Sequence, residues 1–211
     1  MTSVAALLGD VVGSRRAADR AAVHRALVGA LESANAELRP TTPLWITAGD
    51  EFQGGFATVG AALRASLRIR LALAPDVDVR QGVGWGPVTV LAAEPRVEDG
   101  PAWWAARAAI EEVETAQGKA ASRGLRTAYR LADGTAGPDP AAVNAALVAR
   151  DEILAGVDER GLSVLGAMLA GMSQQQIADR LRVSPSAVSQ RVRRQGLAAL
   201  VTVDQLLGEV T

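Results

Sequence analysis

Two short apolar runs in this chain end the same way, in Gly-Asp. Val4-Ala5-Ala6-Leu7-Leu8 leads into Gly9-Asp10, and Leu44-Trp45-Ile46 leads through Thr47-Ala48 into Gly49-Asp50, followed by Glu51 and a second β-inclined run from Phe52 to Phe56. Glycine accepts positive φ and aspartate tolerates it, so Gly49-Asp50 reads as a hairpin turn and Gly9-Asp10 as a strand end. Taken singly, these carboxylates are solvated turn residues. If the two strands are central neighbours, both deliver a carboxylate to one edge of a sheet. That is a divalent-cation site suited to phosphate chemistry.

The rest of the first part alternates strand and helix. Ser3 to Leu8 is a continuous apolar strand. Asp10 to Ser14 is a turn, with Ser14 as a candidate N-cap for a helix that places Leu27, Ala30, Leu31 and Ala34 on one face. Pro40 and Pro43 end it, the Trp45/Phe52 hairpin follows, and Ala57 to Leu73 is a second helix with Val59, Leu63, Leu67 and Leu71 in register. Val77 to Gly86 alternates and carries Gly82, Gly84 and Gly86, which marks a strand that something approaches closely, with Pro87 to Leu91 as its hairpin partner. Pro101 to Gln117 is a third helix, and Leu125 to Leu131 an edge strand. The order predicts an α+β, ferredoxin-like β-α-β-β-α-β domain over residues 1–135, with helices on one face of the sheet. The turn-rich 133–140 is the expected boundary, and 140–211 is expected to be all helical around a core at 160–200.

Composition removes several function classes. The chain has 211 residues, 49 % apolar and 21 % charged, with net charge −1, so no chain-wide polyanion surface is expected. It has no cysteine and a single histidine, His24, which argues against zinc, and nothing points to haem, flavin or NAD. Magnesium or manganese, bound by oxygen, is the metal to consider. No apolar run reaches the ~20 residues of a membrane span, and the expected location is the cytoplasm.

One local basic patch stands out. Between Arg160 and Gly196 there are six arginines against one acid, Asp179. Ser173 caps a helix to Leu181, Arg182-Val183-Ser184 is a short turn, and Pro185 opens a helix whose Val188 and Val192 face inward. This is a helix-turn-helix pattern of the kind found in sigma-factor region 4. In the major groove, Ser186, Ala187, Ser189 and Gln190 would face base edges while Arg191, Arg193 and Arg194 met phosphates. Protein contact is the alternative use of such a module.

Four segments in order resemble palm-type nucleotidyl cyclases. Asp10-Val11-Val12-Gly13 is similar to the metal-binding turn after the first strand of class III enzymes, and Gly49-Asp50 to their second metal aspartate. Gly49-Asp50-Glu51-Phe52 also resembles the signature turn of diguanylate cyclases. Arg80-Gln81-Gly82-Val83-Gly84-Trp85-Gly86 resembles a third segment, and Ala105-Ala106-Arg107 a fourth. With Ser14-Arg15, Gln53-Gly54, Asp99-Gly100-Pro101-Ala102 and the helix-turn-helix, the whole chain resembles the SatD family. The resemblance implies Asp10, Asp50 and the Val11 carbonyl as magnesium ligands, with Glu51 as an alternative carboxylate. It implies phosphate binding by Val12, Gly13 and Ser14 with Gly49 beside them, and Arg107 and Arg15 as charge-neutralising catalytic residues. Three positions depart from the cyclase pattern: Ile46 and Arg96 stand where base-reading residues would, and Trp103 replaces an asparagine.

Together these features predict a homodimeric, DNA-binding regulator whose cyclase-like domain binds a nucleotide. An active magnesium-dependent cyclase or nucleotidyltransferase is the second expectation, and a non-catalytic interaction scaffold the third.

Overall fold

The structure, a computed structural model, describes residues 2–14, 18–93 and 96–211. The elements in chain order are β1 (Thr2–Val11), α1 (Arg20–Leu38), β2 (Thr42–Ala48), β3 (Glu51–Phe56), α2 (Val59–Leu73), β4 (Val79–Ala93), β5 (Arg96–Asp99), α3 (Pro101–Gln117) and β6 (Thr127–Leu131). Five helices follow: α4 (Pro140–Ala155), α5 (Glu159–Leu169), α6 (Gln174–Leu181), α7 (Pro185–Arg194) and α8 (Leu197–Gly208).

β1 is central, as its apolar run requires. The sheet runs β2-β3-β1-β4 with all three contacts antiparallel, which is the strand order of a ferredoxin-like core. β4 is longer than expected. It continues through Pro87 to Ala93, and its hairpin partner is β5, not Pro87 to Leu91. Pro87 lies between the last pairing with β6, Trp85↔Leu131, and the first with β5, Thr89↔Asp99, so it interrupts neither ladder.

Helices cover both faces, which corrects the expectation of one helical face. On one side Ala5, Leu7 and Val11 of β1 pack with Phe52, Phe56, Val59, Leu63, Leu27 and Leu31. On the other, Ala6 and Leu8 meet Ala102, Trp103 and Ala106 of α3. The glycines of β4 explain how α3 comes so close. A Cβ on Gly82 or Gly84 would stand 2.2 Å from the carbonyl oxygen of Ala106 or Ala102, so the body approaching this strand is a helix backbone.

α1 begins later than expected. Asp19, not Ser14, is its N-cap, accepting from Ala22 N–H at 2.8 Å. Gly13 at φ +70° takes the chain out of helical conformation between Asp10 and that start.

An asparagine side chain from a helix meets two of the outer strands, β2 and β6. Asn35 of α1 donates to the Leu44 carbonyl (2.9 Å) and accepts from its N–H (2.8 Å) on β2. Asn144 of α4 does the same for Tyr129 on β6, at 2.9 Å both ways.

The C-terminal helices build their own core from Leu154, Val164, Leu165, Ile177, Val188, Leu197 and Leu200, yet Leu67 of α2 belongs to it. Conversely Val143, Leu147 and Leu207 belong to the core under the sheet. A fully buried carboxylate joins the two parts. Asp151 accepts from Arg70 Nη1 (2.7 Å), Arg150 Nε (3.1 Å) and the N–H groups of Arg126 (2.7 Å) and Thr127 (2.9 Å). Arg150 is equally enclosed and donates to Thr127 Oγ1 at 2.7 Å. Burial lowers the pKa of Arg70, and Asp151 pulls it back up. Truncating one partner of such a set strands the others without their counter-charge. Asp151→Ala is therefore expected to lower unfolding free energy by roughly 3–5 kcal/mol. Urea titration should show the β-sheet and helical signals shifting together.

Candidate functional site

The antiparallel register places the two acidic tips at the same end of the sheet. Gly9 of β1 pairs with Phe52 of β3, and Asp10 pairs with Arg80 of β4. Gly9 has no room for a side chain, since a Cβ there would lie 2.1 Å from the Phe52 ring. Gly49 turns the β2–β3 hairpin at φ +62° and sets Asp50 beside Glu51 at the start of β3. Asp10, Asp50 and Glu51 then border one open cavity of about 400 Å³, together with Val11, Gly13, Ser14, Arg80 and Glu114. A second cavity of about 310 Å³ shares Ser14 and Asp50 and is closed by Gly49, Arg20, Val23, His24 and Leu27. His24 is exposed at this rim.

The convergence of Asp10, Asp50 and Glu51 is thus present, but two arginines already engage it. Arg80 holds Asp10 with both ends of its fork, Nε to Oδ1 at 2.8 Å and Nη2 to Oδ2 at 3.0 Å. Its Nη1 donates to Glu114 of α3 at 2.7 Å. The hydrogen bonds to Asp10 raise the pKa of Arg80 against the opposing effect of burial, so it is a permanent cation. Arg107 donates to Glu51 at 3.1 Å, and both of these side chains are about half exposed (47 % and 44 %), so the pair is weak. Asp50 enters no ion pair among the described residues.

Oxygen donors of this kind suit a hard divalent cation in chemistry. They are not assembled as a cage: among the described residues, no three acidic or histidine side chains stand ready to hold an ion. The expected phosphate cradle also changes. The Val12 N–H already donates to the Asp78 carbonyl at 2.8 Å, and the first helix starts at Arg20, so its N-terminus is not at Val12 to Ser14. Gly13 and Ser14 remain at the cavity wall, with Gly49 at the neighbouring one. Arg107 neutralises Glu51, an acid of the protein itself. Arg15 lies outside the described residues.

Arg80 and Glu114 were not expected as site residues. Arg80 begins the glycine-bearing strand, and an antiparallel neighbour to β1 had to set it opposite Asp10. Glu114 lies two helical turns after Arg107, on the same face of α3. The positions that depart from the cyclase pattern are all occupied otherwise: Trp103 is buried against Ala6 and Leu8, Ile46 packs on the main core, and Arg96 pairs with Glu98 at 2.6 Å.

In the C-terminal part of the chain, α6 and α7 meet through a tight turn. Ser173 and Gln176 form a reciprocal capping box, Arg182 takes a left-handed conformation, and Ser184 caps α7. Ile177, Ala178, Val188 and Val192 are buried between the helices. Ser186, Ala187, Ser189, Gln190, Arg193 and Arg194 are exposed along α7, with Ser186 and Ser184 hydroxyls 2.9 Å apart. Arg191 donates through Nη1 to both Asp158 oxygens, at 2.5 and 2.6 Å, so its charge is shared with an acid of the protein itself.

The Gly161 N–H and then Arg191 lower the Asp158 pKa from 3.8 to about 2. A depressed carboxylate stabilises the fold fully above its unfolded pKa and loses that contribution as pH falls through the folded value. The Gly161 amide resonance is accordingly expected to titrate with a midpoint near 2, and not near 3.8, and to lose this transition in Asp158→Asn.

Among solved structures, the chain is similar to the guanylate cyclase domain of RhGC from Catenaria anguillulae in complex with GTP, at 19 % identity over 50 % of this chain and 70 % of that one, TM-score 0.41. It is similar to an adenylate/guanylate cyclase/hydrolase from Silicibacter pomeroyi, at 23 % identity over 49 % and 66 %, TM-score 0.40. It is also similar to a GGDEF domain from Pseudomonas aeruginosa, at 20 % identity over 64 % and 84 %, TM-score 0.42. No protein of curated function matches it. The model of the SatD family matches residues 4–205, and the chain belongs to that family.

Proposed function

We propose that the cavity at the β1–β3–β4 sheet end handles a nucleotide, in the manner of a palm-type cyclase or nucleotidyltransferase. The observation that carries this reading is the meeting of Asp10, Asp50 and Glu51, from two adjacent strands, in one open cavity beside a second compartment. A magnesium or manganese ion held by Asp10, Asp50 or Glu51 and the Val11 carbonyl would supply Lewis-acid neutralisation of phosphate oxygens. The chain's own contribution is positional. The Gly13 and Gly49 turns form parts of the two walls, Arg80 brings fixed positive charge to an otherwise acidic cavity, and Arg107 pairs with Glu51 at its border. Trp103 and Ile46 offer no base-reading groups in place of the family pattern, so the base is left unassigned. Incubation with each nucleoside triphosphate and Mg²⁺ or Mn²⁺ is expected to release pyrophosphate. Asp10→Asn and Asp50→Asn should each lower that rate by about 100-fold or more. Neither binding nor pyrophosphate with any of the four would overturn the reading.

A second activity rests on a separate observation. On α7, Ser189, Gln190, Arg193 and Arg194 are exposed while Val188 and Val192 lock the helix against α6. We propose that residues 140–211 form a DNA-reading module and 1–135 a nucleotide-responsive one, the chain acting as a homodimer on two half-sites. Gel-shift titration on genomic fragments tests this. Arg193→Ala/Arg194→Ala is expected to weaken binding uniformly across sequences and to reduce the salt slope by about two. Unchanged binding in that variant would remove the DNA reading and leave α7 as a protein contact.

A further inference from the structure

The charges bordering the sheet-end cavity do not balance. Among the described residues, Asp10, Asp50, Glu51 and Glu114 border it against Arg80, and Arg107 is paired with Glu51. An anionic ligand arriving by itself meets net negative charge from these described residues. A cation arriving by itself finds Asp10, the innermost of the strand-borne acids, already paired at both oxygens. Arg80 also differs from Arg107 in enclosure. Its side chain is 16 % exposed, against 47 % for Arg107, so solvent screens its pairs less.

The pairing is fixed by backbone features. Asp10 and Arg80 are cross-strand partners, which holds their Cβ atoms about 5 Å apart. Gly82 and Gly84 seat α3 directly on β4, and this sets Glu114 at hydrogen-bonding distance above Arg80. The planar guanidinium thereby has Nε, Nη1 and Nη2 all on carboxylate oxygens, a geometry in which charge-assisted bonds are strongest.

We propose that Arg80 is the resident cation of this cavity and the gate to its divalent-metal site: a metal reaches Asp10 only by exchange with the guanidinium, which is then freed toward an anionic group. The exchange is one of charge-assisted bonds, with no covalent step. This rests on the cavity being the nucleotide site, and it adds that metal and anion enter together, each weakly without the other.

The test uses Mn²⁺ alone, read by electron paramagnetic resonance on the intact chain. Wild type is expected to bind Mn²⁺ weakly. Arg80→Gln should bind one ion about ten- to a hundredfold more tightly, the worth of a charge-assisted pair, and Asp10→Asn on that background should abolish the gain. Arg80→Lys, which keeps the charge without the fork, should fall between. Equal Mn²⁺ affinity in wild type and folded Arg80→Gln would overturn the proposal. Should the Arg80 variants fail to fold, the Nε–H resonance of Arg80 in the wild type decides. It is expected to be protected without metal and released when Mg²⁺ and pyrophosphate are added together; persistence at saturation overturns the gate. Because metal binding is read without turnover, the outcomes separate. Pyrophosphate release that depends on Asp10, with unaltered Mn²⁺ affinity in Arg80→Gln, would sink the gate and keep the nucleotide reading, and the reverse result would do the opposite.

Discussion

The contact on which most of this molecule depends is helix backbone against strand backbone, α3 on β4. Removing two Cβ atoms, at Gly82 and Gly84, lets carbonyls of α3 lie where side chains would stand. Glycine weakens a strand by roughly 0.5–1 kcal/mol relative to alanine in each case. The return is a second helical layer that encloses Ala6 and Leu8, which a ferredoxin-like sheet with helices on one face would leave in water. The same docking fixes the height of Glu114 above Arg80, so packing and site electrostatics share one cause.

The second organising constraint is the enclosed Arg70–Asp151–Arg150 set. Three ionised groups out of water are tolerable only with nearly every polar direction satisfied, and here two strand N–H groups and Thr127 complete the set. Because Arg70 lies on α2 and Asp151 on α4, the set joins the sheet layer to the helical tail. Leu67, on the same helix as Arg70, reaches into the tail's own core. α2 is therefore a shared beam, and the segment between Asp133 and Asp139 is a turn within a continuous packing.

The strand order and the apolar faces were legible in the sequence because period-2 and period-3.6 patterns are local properties. Leu27, Ala30, Leu31 and Ala34 form the buried face of α1, as their spacing requires. The caps at Ser173 and Ser184 were equally legible, since each lies within a few residues of the helix it starts and of that helix's apolar pair. What escaped was relational. Whether Ser14 or Asp19 caps α1 depends on where Gly13 redirects the chain. The glycines of β4 announced a close approach but not the identity of the approaching body. The partner of Asp10 lies seventy positions later in sequence, and only the register of β1 with β4 brings Arg80 to it. Arg191 looked like a free cation in the sequence and is held instead by Asp158, an acid just outside the basic stretch.

The two carboxamides at the sheet margins have a consequence for self-association. An unpaired strand margin is a template for a strand from another molecule. Asn35 and Asn144 each imitate one residue of a neighbouring strand, offering one donor and one acceptor to Leu44 and Tyr129. The β2 and β6 margins are thus occupied at one residue from within the chain by an amide that cannot propagate the ladder. At β2 and β6, lateral growth into a fibre-like stack is obstructed without recourse to charge repulsion.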